Sequence, residues 1–227
     1  MSLPLDCTRR RAPDERPQQI LDAALAEFGE QGLAGARLDD IARRAGIAKG
    51  TIYLYFANKE ELFQAVVRQT IVARLDELTA EFGPASAGSA TEQLRSYMRT
   101  WWETLRTPVF RTIYRLVVGE LHRFPDLLRF YLDEVVARKS ALHAGVIARG
   151  IAAGEFRPTD PRVAGRVIAS AFVSHALWIG YPPATLHFLG DMSDEAVFAQ
   201  LEDFALHALR PDAAAPAAPP AAGPAAR

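Results

Sequence analysis

The chain has 227 residues, of which 49% are hydrophobic and 23% charged, so it can bury a core and is not globally disordered. Its net charge of −1 gives no bulk attraction to nucleic acid, and its single cysteine, Cys7, excludes an intramolecular disulfide. No apolar run reaches the ~18–20 residues of a membrane-spanning helix, and the N-terminus lacks the pattern of a signal peptide, so we expect a cytoplasmic protein.

The first helix is predicted to follow a short polar segment. Residues 1–15 are Arg-rich and interrupted by prolines, so we expect a flexible N-terminal arm. After the arm, apolar side chains recur at helical spacing, at Ile20, Leu21, Ala24, Leu25 and Phe28. Gly32 follows this stripe and is predicted to end the helix, because glycine readily adopts the left-handed conformation of a helix C-terminus.

The segment 38–55 fits the geometry of a helix-turn-helix. Two short helices that cross steeply need a tight turn, and Gly46 lies where the chain must reverse. Small or branched apolar residues lie where the two helices would meet: Ile41, Ala42, Ala45, Ile47 and Ile52. The start of the second helix, which enters the major groove in such motifs, is then left facing outward with Ala48, Lys49, Gly50, Thr51 and Tyr53.

The rest of the chain also has helical periodicity. Asn58 and Glu61 form a capping-box-like start for a helix that continues towards Phe82. Asp160 and Ser193 are predicted caps of two later helices. Beyond the Gly/Pro/Ser-rich loop at 83–89, we predict helices at 90–105, 108–123, 125–150, 161–181 and 194–209. Residues 211–227 are Ala/Pro-rich and predicted to be a disordered tail. The predicted fold is all-α, with about nine helices.

The helix-turn-helix segment also resembles a known family. The sequence DDIARRAGIAKGTIYLYFANKEELF is similar to the DNA-binding signature of the tetracycline-repressor (TetR) family of bacterial regulators. The matching positions are Asp40, Ile41, Ala42, Ala45, Gly46, Lys49, Gly50, Tyr53, Tyr55, Phe56 and Lys59. The resemblance implies a three-helix DNA-binding domain over residues 16–60 and a helical ligand-binding and dimerisation domain over 61–210. It departs at Arg37, where the family usually has a serine or threonine that caps the second helix.

The resemblance implies a double-stranded DNA partner and a set of contact residues. Lys49 and Lys59 are expected to neutralise phosphates, whereas Thr51 is a candidate for reading a base edge or a thymine methyl group. For Thr51 and Tyr55, packing is the alternative to a DNA contact. The full predicted set of DNA-binding residues is Arg37, Arg44, Ala48, Lys49, Gly50, Thr51, Tyr53, Tyr55 and Lys59.

A mainly apolar effector cavity among the middle helices is also implied by the resemblance. Aromatic residues at helical spacing are usually core residues, and this is the alternative reading for every candidate. The candidate cavity residues are Trp102, Tyr114, Val118, Leu121, Tyr131, Val135 and Phe172. His143 and His175 lack partners at metal-ligand spacing, so we expect neither a metal nor another cofactor.

The last two predicted helices are the expected interface of a homodimer. Small and apolar residues would allow these helices to form a four-helix bundle with those of a second copy, although packing within one chain is the alternative. The candidate interface residues are Val167, Ala171, Val197, Leu201, Phe204 and Ala208.

These expectations together favour a ligand-responsive, sequence-specific transcriptional regulator. By family resemblance it would be a repressor that a small apolar or amphipathic effector releases from a palindromic operator. The main alternative is an architectural or interaction protein of the same fold that a protein partner controls. We expect no enzymatic activity, because the sequence has no nucleophile arrangement, carboxylate–histidine repeat or phosphate-binding loop.

Overall fold

The computed structural model describes residues 16–84, 86, 88–176, 178 and 192–211, and this part of the chain is helical. Its nine helices are α1 (Arg16–Gly35), α2 (Leu38–Arg44), α3 (Lys49–Ile52), α4 (59–82), α5 (Ala90–Leu105), α6 (Pro108–Glu120, extended by a 3₁₀ turn at Leu121–Arg123), α7 (125–152), α8 (Pro161–Ala176) and α9 (Asp194–Leu209). The all-α prediction is confirmed. The predicted arm at 1–15, the tail beyond residue 211 and the end of the 161–181 helix lie outside the described residues.

The helix starts that the sequence predicts form as expected. The Asn58 side chain accepts a hydrogen bond from the Glu61 amide over 2.7 Å, while the Glu61 carboxylate accepts one from the amide of Ala57 over 2.8 Å. This is a capping box displaced by one residue. Asp160 and Ser193 accept hydrogen bonds from amides in the first turns of α8 and α9. Local caps thus fix the start of both helices.

The first helix continues past its predicted end, but through a break. Gly32 has a φ of 72° and a ψ of 168°, which interrupt the helical geometry of α1. The chain then makes one more helical turn to Gly35. The predicted role of Gly32 as a breaker is therefore correct, and the turn beyond it is the part that local sequence did not predict.

The two long helices each contain a π-helical turn. In α4, Lys59–Val67 and Ala73–Phe82 are joined by a π turn at Arg68–Val72. In α7, Pro125–Tyr131 and Arg138–Ala152 flank a π turn at Leu132–Ala137. The two π turns contact each other. π turns inside α-helices frequently mark functional positions.

One continuous apolar core connects the reader helices α1–α3 to the helices behind them. Phe28 of α1 packs edge-on against Phe63 of α4, with 5.8 Å between ring centroids. The α1 helix also contacts α6, so the reader is held from two sides. No helix in the described residues is long and apolar enough to span a membrane.

Candidate nucleic-acid interface and core sites

The helix-turn-helix is assembled by the buried residues that the sequence predicts. Ile41 and Ile52 are fully buried, and Ala42 is 1% exposed where α2 meets the following segment. Gly46 has a φ of 69°, the left-handed conformation that the reversal requires and that side chains disfavour. This packing fixes the direction in which the short α3 leaves the domain.

The outward face of α3 and the following turn carries an exposed apolar tip. Tyr53 is 49% exposed and Tyr55 is 37% exposed, whereas Thr51 is half-buried. Leu54, between the two tyrosines, is 83% exposed and was missed by the sequence analysis. Its signal is its position two residues after buried Ile52, which places it on the opposite side of the turn. An isobutyl group there suits contact with a thymine methyl or a sugar.

The cationic side chains near this tip differ in their exposure and in their partners within the protein. The Lys49 ammonium lies 2.7 Å from a carboxylate oxygen of Asp39, and this hydrogen bond raises the pKa of Lys49. Its side chain is nevertheless 68% exposed, so it remains accessible to a phosphate. Ala48 and Gly50 beside it are exposed, and a Cβ at Gly50 would meet no atom within 4 Å. Arg37 precedes α2 without forming a side-chain cap and is exposed.

Two further cations of the predicted DNA-binding set, Arg44 and Lys59, have partners at the end of α1. The Arg44 guanidinium lies 2.8 Å from Glu30 and 3.2 Å from Glu27, both on α1. The Lys59 ammonium donates to the carbonyl oxygens of Ala34, at 2.8 Å, and Ala36. These contacts stabilise the end of α1, which the sequence analysis did not foresee because the partners lie 14 to 25 residues away.

The end of α1 is also held from the other domain. The Glu120 carboxylate, at the end of α6, accepts hydrogen bonds from the amides of Leu33, at 3.2 Å, and Ala34, at 2.8 Å. These amides begin the last turn of α1, where the break at Gly32 leaves them without helical acceptors. A Cβ on Gly32 would lie 2.4 Å from a Glu120 carboxylate oxygen. We call the contact of the Glu120 carboxylate with the Leu33 and Ala34 amides the clamp. Position 32 must be glycine for this clamp to form, because both the space and the backbone geometry exclude a side chain.

The predicted cavity residues separate into buried and exposed positions. Tyr114 is half-buried. Five are buried in the core, namely Trp102, Leu121, Tyr131, Val135 and Phe172. Val118 is instead 56% exposed, so its placement in the cavity wall is corrected. Helical spacing placed it beside Tyr114, but this side of the last turns of α6 faces solvent, whereas Leu116 and Leu121 are buried on the other side.

The structure brings two of the seven candidates into direct ring contact, and we call their cluster the first group. Trp102 and Phe172 pack edge-on, with ring centroids 6.1 Å apart, in a cluster that includes Phe198 of α9. Burial, and secondarily the nearby Tyr114, raises the pKa of Tyr131. Among the described residues, no three His, Cys, Asp or Glu side chains lie together as a metal site.

Several buried polar atoms in and near the first group lack hydrogen-bond partners, and of the residues that carry them only Tyr97 is absent from the sequence predictions. Tyr97 Oη, Trp102 Nε1 and His143 Nε2 have no hydrogen-bond partner among the described residues, whereas His175 Nε2 lies 3.8 Å from a carboxylate oxygen of Asp194. Burial, and secondarily the charge of Lys139, lowers the pKa of His143 to about 3. Burial likewise lowers the pKa of Lys139 to about 8. A tyrosine and a histidine at helical spacing look like ordinary core residues, so only the packing across helices identifies them.

The predicted dimer interface forms an exposed apolar face on α8 and α9. Val167 is 60% exposed and Phe204 is 71% exposed, and Ala171 and Ala208 are exposed beside them. With half-buried Leu201, these residues line a groove of about 210 Å³. Val197 is corrected, because at 8% exposure it belongs to the interior of the protomer.

The chain matches two models of one protein family. Residues 20–66 match the model of bacterial regulatory proteins of the tetR family, and residues 84–196 match the tetracyclin repressor-like C-terminal domain. The HTH-type transcriptional regulator RutR of Escherichia coli K12 is 32% identical over 160 residues, which cover 68% of this chain and 70% of RutR. The HTH-type transcriptional repressor SCO4008 of Streptomyces coelicolor is 31% identical over 143 residues, which cover 63% and 73% of the two chains.

Solved structures share the fold over nearly the whole chain. A complex of SmeT with triclosan has a TM-score of 0.72 at 22% identity and covers 92% of this chain and 99% of that one. The fatty acid degradation regulator FadR of Bacillus halodurans has a TM-score of 0.69 at 24% identity, with coverage of 89% and 99%. The exposed reader and the family matches lead to one conclusion: the chain belongs to the TetR family and is a helix-turn-helix, DNA-binding transcriptional regulator.

Proposed function

We propose that this regulator is a cytoplasmic repressor that binds an inverted-repeat operator as a homodimer and is released by a small apolar or amphipathic effector. The observation that carries the proposal is the apolar face of α8 and α9. Phe204 and Val167 are among the most exposed large hydrophobic side chains of the described residues. Contiguous apolar surface of this kind is typical of a protein interface.

A second copy of the chain is the occupant that this face supports best. Residues from two adjacent helices line the groove, so two copies related by a two-fold axis would pair four helices. Two readers, each with its Tyr53–Tyr55 tip, can then occupy major grooves about 34–36 Å apart, or a multiple of this distance. One short α3 alone would contact too few bases to select a site in a genome.

Release by an effector is supported by the connections between the reader helices α1–α3 and the predicted ligand-binding and dimerisation domain, residues 61–210, which we call the sensor domain. The reader is joined covalently to α4 and clamped to α6 by Glu120. A ligand that binds better when the middle helices move apart would shift the population towards dimers whose readers no longer match the operator spacing. Repression rather than activation is supported by SCO4008, which is named a repressor.

Selection of bound duplexes from a random pool, at near-physiological salt, tests the proposal. We expect enrichment of an inverted repeat by the wild type and loss of this enrichment in Phe204→Glu, which should remain folded. Binding without an enriched repeat would contradict the specific-regulator proposal and support the architectural alternative. The recovered operator then reports on effectors, since a true effector must weaken binding to it.

A further inference from the structure

Four side chains of α5 and α7 form a compact cluster inside the sensor domain. The ring centroids of His143 and Tyr97 are 5.1 Å apart, and those of His143 and Trp101 are 4.9 Å apart. The Lys139 ammonium lies 5.4 Å from the centroid of the Trp101 ring. Lys139 and His143 are one helical turn apart on α7, so both face the same part of α5.

The polar atoms of this cluster lack partners. Tyr97 is 1% exposed and His143 is 6% exposed, yet neither Tyr97 Oη nor His143 Nε2 has a hydrogen-bond partner within the described residues. Lys139 is half-buried, and no carboxylate of the described chain forms an ion pair with it. Buried polar groups without partners are costly and uncommon in folded proteins. Two such atoms in one place, beside a half-buried ammonium, indicate a site for a ligand that supplies the missing partners.

The surroundings of the cluster are apolar and tightly packed. A small cavity of about 10 Å³ lies between α5, α7 and α8 and is lined by three members of the cluster, Tyr97, Trp101 and His143. Its other lining residues are Leu94, Met98, Ile147, Gly165 and Ile168. A Cβ on Gly165 would lie 2.9 Å from the Cβ of His143, so α8 approaches α7 as closely as glycine allows. A ligand larger than one water molecule must therefore widen the gap between these helices. That movement reaches α8, whose outer face carries Val167.

We propose that this cluster binds small apolar molecules that carry a carboxylate. The carboxylate pairs with the Lys139 ammonium and accepts hydrogen bonds from the Tyr97 hydroxyl and the His143 ring, while the apolar body lies between α5 and α8. One ligand group thus supplies the negative charge that Lys139 lacks and the acceptors that the two rings lack. Identifying this acid as the effector rests on the proposed function, whereas its binding to the cluster does not.

Matched pairs of acids and primary amides test the charge preference without DNA. The probes are octanoic, phenylacetic and 1-naphthoic acids with their amides, and the readout is tryptophan fluorescence, because Trp101 lines the site. We expect at least one acid to bind the wild type roughly tenfold more tightly than its amide, as one charge-assisted contact would give. Lys139→Met should remove this preference while leaving amide binding unchanged. Arg138→Met is the matched control, since Arg138 pairs with Asp76 outside the cluster and should retain the preference.

The proposal is overturned if the wild type binds acids and amides equally, or if no acid binds at millimolar concentration. It is also overturned if Lys139→Met retains the preference. Lys139→Gln is the second variant if the methionine variant does not fold, and the wild-type comparison needs no variant. Operator release is measured separately: an acid that binds the cluster without releasing DNA contradicts the proposed effector response and leaves the site intact.

Discussion

The Glu120 carboxylate accepts a hydrogen bond from the backbone amide of Ala34, 86 residues earlier in the chain, over 2.8 Å. This contact joins the last residue of α6 to the last turn of the first reader helix. The carbonyl of the same residue, Ala34, accepts a hydrogen bond from the Lys59 ammonium. One peptide segment is thus held by an anion from the sensor domain and by a cation from α4. A displacement of α6 or α4 would therefore move this segment.

The clamp predicts a measurable coupling between Gly32 and Glu120. Gly32→Ala should destabilise the protein twice, through a backbone conformation that is nearly restricted to glycine and costs about 1–3 kcal/mol, and through the clash with the Glu120 carboxylate. In a Glu120→Ala background only the first cost should remain. Gly154→Ala is the matched control, because Gly154 has a φ of 73° but no atom within 4 Å of an added Cβ. Urea unfolding of this double-mutant cycle measures the coupling. Equal costs of Gly32→Ala in both backgrounds would show that no clash exists.

The dimer face predicts a selective effect of one charged substitution. Phe204→Glu places a carboxylate in the centre of the apolar groove, so dimerisation should weaken at least ~100-fold, which corresponds to about 2.7 kcal/mol. The helical content should not change, because Phe204 is 71% exposed in the protomer. Leu132→Glu, at a residue of α7 that is 46% exposed, is the control and should remain dimeric. Analytical ultracentrifugation measures both, and an undiminished Phe204→Glu dimer would place the interface elsewhere.

Substitutions of Lys49 and Lys59 should affect different properties, namely the salt dependence of DNA binding for Lys49 and the stability of the fold for Lys59. Lys49→Met should make the slope of log K against log salt shallower by about 0.9 for each protomer, as expected for one lost phosphate contact. Its thermal stability should change little, because exposed ion pairs contribute only about 0–1 kcal/mol. Lys59→Met should instead reduce the free energy of unfolding by about 1 kcal/mol, because the Ala34 and Ala36 carbonyls lose their donor. Titrations at several salt concentrations and urea unfolding separate these effects, and a reversed pattern would refute the assignment.

Buried His143 should make the protein less stable in mild acid. Burial and the charge of Lys139 lower the pKa of His143 to about 3 in the folded state, whereas in the unfolded chain the pKa is about 6.5. Between these values the unfolded state binds a proton that the folded state does not, so stability is lost as pH falls from about 6.5 towards 3. His143→Phe should lack this component. Exposed His122, replaced by Gln, is the control and should retain it in urea unfolding from pH 7 to pH 4. Parallel pH curves for wild type and His143→Phe would contradict the prediction.

Local sequence predicts the parts of this protein that local interactions form. Ile41, Gly46 and Ile52 assemble the helix-turn-helix from neighbours within a dozen residues, and the caps at Asn58 and Ser193 act within one helical turn. Helix positions, fold class and the exposed reader therefore follow from periodicity and capping.

Contacts between distant helices set the remaining features. Arg44 and Lys59 are typical surface cations until α1 supplies their partners, and Glu120 is an ordinary surface acid until Leu33 lies beside it. Val197 illustrates another source of error. It shares an apolar stripe with Phe204, yet Val197 packs inside the protomer and Phe204 is exposed. Helical periodicity identifies the stripe but does not predict which of its residues pack within the protomer and which remain available to a partner. The unpartnered atoms in the sensor core likewise depend on three helices that meet only after folding.

The π turn at Arg68–Val72 sets the angle about the helix axis between the two halves of α4. Buried Phe63, Val67, Ile71 and Leu75 recur every four residues, and each such step drifts about 40° around a regular helix of 3.6 residues per turn. The wider turn takes up this drift, so both halves keep their apolar side on the core. Deleting one residue within 68–72 should restore a regular helix with nearly the same phase. Deleting one residue from the regular turns on either side would instead rotate the reader by about 100° relative to the sensor. Homologues that bind DNA in the same orientation should therefore tolerate length changes in the segment 83–89 far better than in the regular turns of α4.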